Sequence, residues 1–210
     1  MSHAPVEDGQ TGSATAWTVR PATQGPDAQA FGALVEAVRR LQSAVVTAAP
    51  PAAVTADLLG SLRRTVERLE QYEVLEDERF VAAAVLFGPG HPLLVRYSLG
   101  AMDDRSLRAT VTFGAEHVGG NGAVHGGFLP LLFDDLLGTF VSTQGQPGSR
   151  TAFLTVNYRK ITPVHRELQL DATIDRIDGR KTFVSGRLRE GEDLLADAEA
   201  LFVQLRPGQP

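Results

Sequence analysis

The chain has 210 residues, 43% of them hydrophobic and 21% charged, enough for one domain with a sizeable core plus an extension. Its formal charge of -5, from 20 basic and 25 acidic side chains, argues against a protein that grips nucleic acid through a basic face. The absence of cysteine excludes disulfides, thiolate metal sites and a cysteine nucleophile.

Residues 1–27 mix Ser, Gly, Pro, Thr and Ala without a hydrophobic period and are expected to form a flexible tail. The tail lacks the basic-then-apolar order of a signal peptide, and no later run of about 18 apolar residues suggests a membrane span. A cytoplasmic protein is the expectation. Over residues 28–75 two apolar stripes recur at three-and-four spacing: Phe31, Leu34, Val35, Val38, Leu41 and Val45, then, past Pro50-Pro51, Val54, Leu58, Leu62, Val66 and Leu69. The pattern predicts a helical hairpin, its second helix packed antiparallel to the first.

After a connector at 88–92 the period changes. Leu93–Leu99 and Leu107–Phe113 read as strands joined by a turn over 100–106. The glycine cluster Gly119-Gly120-Asn121-Gly122 leads to His125-Gly126-Gly127 and then to a run apolar on nearly every face, Phe128 to Val141, interrupted by Asp134 and Asp135. A helix apolar all round is a buried helix, and a carboxylate in its middle must be compensated there. Pro130 is tolerated because the first turn has no intrahelical acceptors to offer its amide, and Gly145, Pro147 and Gly148 stop the helix near Gln144. Four more strands follow at Thr151–Tyr158, Leu168–Asp178, Lys181–Glu190 and Leu194–Leu205, with hairpin signals at Asp178-Gly179 and Glu190-Gly191. Strands, one long buried helix and strands again predict an α+β class, an antiparallel sheet wrapped on a single helix.

The combination resembles the hot-dog fold of acyl-CoA thioesterases, and within it the His-Gly-Gly branch that includes the phenylacetate-pathway (PaaI-type) enzymes. The motif elements are Asn121-Gly122 before the histidine, an acid nine residues after it, Gly138 four residues further, and Thr151 opening a strand that carries Asn157-Tyr158. The resemblance covers residues 92–207. It implies hydrolysis of a fatty or aryl acyl-CoA, with Asp134 as general base or nucleophile and Asp135 as its neighbour. His125 and the helix N-terminal amide at Gly127 are implied at the thioester carbonyl, Thr151 beside the acid, and Asn121, Gly126 and Gly138 in substrate binding. No cofactor and no metal are implied; the five histidines are scattered, and no Gly-x-Ser-x-Gly elbow occurs.

The same residues carry a physical reading. Thioester hydrolysis builds negative charge on a carbonyl oxygen, and glycine amides at a helix N-terminus offer donors and the positive end of the dipole. A carboxylate in apolar surroundings tends to be raised in pKa and so becomes a better base. Gly127 and Asp134 stand roughly 10 Å apart along the helix axis, too far for one carbonyl to touch both. Two antiparallel copies of the helix about a two-fold axis would bring the N-terminus of one to the acid of the other, so a homodimer or dimer of dimers with shared sites is expected. The alternative is a non-catalytic acyl-CoA-binding regulator. The balanced charges of the hairpin (Arg39, Arg40, Arg63, Arg64 and Arg68 against Glu36, Asp57, Glu67, Glu70 and Glu73) do not suit a DNA-reading helix.

Overall fold

The structure, a computed structural model, describes residues 26–75, 78–80, 91–144, 146–206 and 208–209. The expected tail therefore lies outside the described residues apart from its last two positions, and so does most of the connector. Two N-terminal helices, α1 (Pro26–Thr47) and α2 (Ala52–Glu70), precede strands β1 (Tyr97–Met102) and β2 (Ser106–Thr112). A 3-10 turn (Ala115–His117), the short strands β3 (Val118–Gly120) and β4 (Ala123–Val124), and the helix α3 (Phe128–Thr143) come next. Strands β5 (Ser149–Tyr158), β6 (Glu167–Asp178), β7 (Lys181–Glu190) and β8 (Asp193–Gln204) complete the chain.

Six strands form one antiparallel sheet in the order β1-β2-β6-β7-β8-β5, with α3 against one face. The burial alternates as a half-covered sheet requires: Leu107, Ala109 and Val111 of β2, Leu168, Leu170, Ala172 and Ile174 of β6, and Val184 and Leu188 of β7 face inward. They meet Leu129, Leu132, Phe133, Leu136, Leu137, Phe140 and Val141 of α3. Full burial of Phe113, Phe133 or Phe140 contributes about 1.5–3 kcal/mol each. The sheet admits the helix closely because its middle is lined by small residues, Ala172, Ala196, Ala198 and Gly186; a Cβ on Gly186 would stand 2.9 Å from Phe133 Cδ1.

Three expectations change. The first strand starts at Tyr97, not Leu93, and runs through Gly100. The reversal is made instead by Asp103, whose carboxylate accepts the amides of Arg105 and Ser106 at 2.8 and 2.7 Å. A short hairpin, β3–β4, appears where only a glycine-rich loop was expected; Asn121 (φ 50°) and Gly122 (φ 71°) make its two-residue turn, the left-handed pair that an Asn-Gly sequence favours. The helices of the N-terminal extension are both present, but where a packed pair was expected no residue of α2 is buried. It is α1 that meets the sheet domain, through buried Val35, the Arg96–Glu36 ion pair at 2.8 Å and an Arg39 hydrogen bond to the His91 carbonyl at 2.8 Å. No helix among the described residues is long and apolar enough to cross a membrane.

Candidate active site

Asp134 lies in the middle of α3, half-buried, and its Oδ1 accepts a hydrogen bond from Thr151 Oγ1 at 2.8 Å. The bond joins the helix to β5, the edge strand, where Thr151 is exposed. It leaves Asp134 Oδ2 for another partner. Asp135, the next residue, points to a different neighbourhood, against Tyr97 of β1 and one helical turn before buried Thr139. Burial pushes the Asp135 carboxyl up to about 6, with the contact of the Tyr97 hydroxyl opposing the rise and the charge of Asp134 adding to it. Burial likewise pushes the Tyr97 hydroxyl up, helped by the Asp135 charge.

Two adjacent acids thus differ in kind: one is held by a hydroxyl at an open edge, the other is desolvated beneath the sheet. The Asp135 rise has a consequence for stability. Its folded pKa lies above the unfolded value, so the native state holds the proton more tightly, and the stability associated with it is present below about pH 4 and lost as pH rises toward 6. Ionised Asp135 then costs on the order of 2–3 kcal/mol at neutral pH. Asp135→Asn is therefore expected to raise Tm at pH 8 and to lose that advantage by pH 4, as thermal unfolding across pH would read. A Tm gain independent of pH would contradict this assignment.

The turn that opens α3 is fixed from several sides. Gly127 N–H donates to His125 Nδ1 at 3.0 Å, the amides of Phe128 and Leu129 go to the carbonyls of His125 and Gly126 at 3.0 and 3.3 Å, and position 130 is proline. With Nδ1 accepting, the proton of the neutral imidazole is on Nε2, and His125 itself is exposed. Gly126 N–H has no acceptor among the described residues. The Gly127 amide, expected to face the substrate, is therefore occupied within the turn, while the Gly126 amide and His125 Nε2–H remain. Tyr158 of β5 donates from its hydroxyl to Gly126 O at 2.9 Å and ties this turn to the strand that carries Thr151.

The other expected residues fall elsewhere. Gly138 faces the sheet: a Cβ there would be 3.2 Å from Phe202 Cε1, so that ring takes the space the glycine leaves. Asn121 forms the β3–β4 turn and is exposed. Asn157 donates to Asp197 at 2.8 Å, and Asp197 also pairs with Arg159. Lys160 pairs with Asp193, Arg166 with Glu190, and Arg180 donates to the Gln204 carbonyl at 2.7 Å, so these cations are engaged within the chain.

Comparison with known proteins points the same way. The thioesterase superfamily model matches residues 121–196, a stretch that holds the His-Gly-Gly turn, Asp134 and Thr151. The mouse acyl-coenzyme A thioesterase THEM4 is 33% identical over 91 residues, which span 42% of this chain and 39% of that protein. The chain thus matches well under two thirds of the length of this curated relative. A solved structure described as protein RHA08564, a thioesterase superfamily protein, aligns with a TM-score of 0.72 at 26% identity, covering 87% of this chain and 97% of its own. Residues 92–207 are little more than half of the chain, so that likeness extends into the N-terminal helices. For the fold alone, smu.793 from Streptococcus mutans bound to acetyl CoA aligns with a TM-score of 0.50 at 16% identity, covering 54% of this chain and 92% of its own.

Proposed function

Since this chain carries a thioesterase-superfamily domain of hot-dog fold, we propose that it is an acyl-CoA thioesterase in which Asp134 acts on the thioester of a fatty or aryl acyl-CoA. The observation that carries the reading is the half-buried Asp134 carboxylate, held by Thr151, on the same helix that His125-Gly126-Gly127 opens. Thr151 fixes Oδ1, and Oδ2 accepts the proton of a water molecule as that water adds to the thioester carbon. The carbonyl oxygen gains the negative charge and is met by the Gly126 amide and His125 Nε2–H near the positive end of α3. Collapse of the tetrahedral centre breaks the carbon–sulfur bond, and the proton held by Asp134 passes to the departing thiolate, giving the carboxylic acid and free CoA. In the nucleophilic variant the carboxylate itself attacks the thioester carbon, the carbon–sulfur bond breaks as CoA leaves as thiolate and takes a proton from water, and a water molecule then hydrolyses the mixed anhydride to the carboxylic acid and free Asp134.

Asp134 and the amides of the His125–Gly127 turn are roughly 10 Å apart along one helix, so a complete site draws its donors and its acid from two protomers. The edge position of β5 fits this: its outer side has no partner strand among the described residues, and Phe153 and Tyr158 are 46% and 57% exposed. A homodimer pairing at that edge brings two copies of α3 near each other and covers these rings.

Thr151→Val tests the role of the hydroxyl. A hydrogen bond to a charged group is worth about 1.5–3 kcal/mol, so kcat for acyl-CoA hydrolysis is expected to fall by about 10- to 100-fold with KM changed far less. Thr151→Ser, which keeps the hydroxyl, should retain most of the rate. Equal activity in Thr151→Val and wild type would remove Thr151 from the mechanism.

A further inference from the structure

The face of α1 that meets the sheet domain carries a polar chain leading to the start of α3. Ser43 Oγ of α1 donates to Glu116 Oε2 at 2.5 Å, across 73 residues of sequence. Glu116 belongs to the 3-10 turn that ends at His117, and His117 is held twice: its amide donates to Gly114 O at 3.1 Å, and its Nδ1 accepts Gly114 N–H at 2.9 Å. The His117 side chain is only 12% exposed, with its ring edge-on to Phe113 at 5.5 Å and to Phe128 at 4.7 Å. Burial lowers the pKa of this imidazole, outweighing the opposite pull of Glu116, so the ring is neutral and its proton is on Nε2. From His117 the connection continues through the backbone: its carbonyl accepts the amide of His125 at 2.8 Å. Gly119 completes the fit, since a Cβ there would lie 2.7 Å from His125 Cα.

We propose that α1 positions the catalytic turn, with Ser43 and Glu116 acting through His117 to fix His125 and Phe128 at the start of α3. This rests on the reading of His125 as a contact of the thioester. Glu116 is only 25% exposed and is charged; without the Ser43 hydroxyl it loses a donor and the turn must shift to recover one. His117 moves with that turn, and His125 hangs from its carbonyl while Phe128 leans on its ring. Displacements near 1 Å in groups that position a substrate cost up to about 100-fold in rate. Ser43, Glu116 and His117 touch no reacting atom in this scheme and are positioning residues.

The test uses the full chain with Ser43→Ala, Glu116→Gln and the conservative Ser43→Thr. Two readouts are taken: kcat and KM for acyl-CoA hydrolysis, and the NMR signal of the His125 ring in the ligand-free protein, assigned against His125→Ala. Ser43→Ala and Glu116→Gln are expected to shift or broaden the His125 signal and to lower kcat about tenfold, with KM within about threefold and the rate restored in Ser43→Thr. Folded variants with an unchanged His125 signal overturn the proposal, whatever their Tm, and so does a displaced signal with wild-type kcat. If the wild-type chain hydrolyses no acyl-CoA, the functional reading fails separately, and the His125 signal still decides whether α1 sets the turn.

Discussion

Asp134→Asn is expected to lower kcat for acyl-CoA hydrolysis by about 10³-fold or more while the protein keeps its fold. General-base catalysis contributes about 10²- to 10⁴-fold, and an amide can neither take the proton nor attack the carbonyl. The substitution is conservative in shape, and the amide oxygen can still accept from Thr151, so a loss of rate is not confused with a loss of structure. Asp135→Asn is the matched control. It lies beside Asp134 in sequence but against Tyr97 in space, and its expected effect on rate is less than about tenfold. A reversal of the two effects would assign the chemistry to the buried acid and sink the scheme.

Complementation between protomers should show an effect of comparable size in the opposite direction. Neither Asp134→Asn nor His125→Ala is expected to turn over substrate at an appreciable rate alone. After subunit exchange about half of the dimers are mixed, and each mixed dimer has one site with both wild-type groups, so roughly a quarter of wild-type activity should return. Separation along α3 is the reason: the acid is two turns beyond the amides, and a single chain cannot offer both to one carbonyl. Isolated mixed dimers with no recovered activity would mean that each protomer holds a complete site.

The helix and the inward strands were legible because their burial has a period. Strands β6 and β7 bury every second residue over most of their length, and α3 from Phe128 to Val141 is apolar apart from Asp134, Asp135, Gly138 and Thr139. The first strand was misplaced for the complementary reason. No residue of β1 is buried and all but Tyr97 are exposed, which leaves no alternation to read, and its turn is made by one aspartate. Within the site, Asp134 and Thr151 were implied by the family resemblance, and a hydrogen bond joins the two side chains. The occupation of the Gly127 amide was not legible, because it depends on the rotamer of His125. Neither was the part played by Tyr158, 32 residues from Gly126, nor by Ser43, since single polar contacts between distant segments leave no periodic trace. That α2 buries no residue was not legible for a related reason: an apolar stripe says that a face needs covering, not what covers it.

Cleavage of an acyl-CoA thioester by Asp134 is tested directly by product release. Purified wild-type protein and Asp134→Asn, supplied with acyl-CoAs of several chain lengths and an aryl-CoA, should be followed for free thiol and free acid together. The wild type is expected to release both catalytically and in equal amounts, and Asp134→Asn to release them only near background with the acyl-CoA still bound. Saturable binding of acyl-CoA without thiol release by the wild type would contradict it and leave the chain a binding protein.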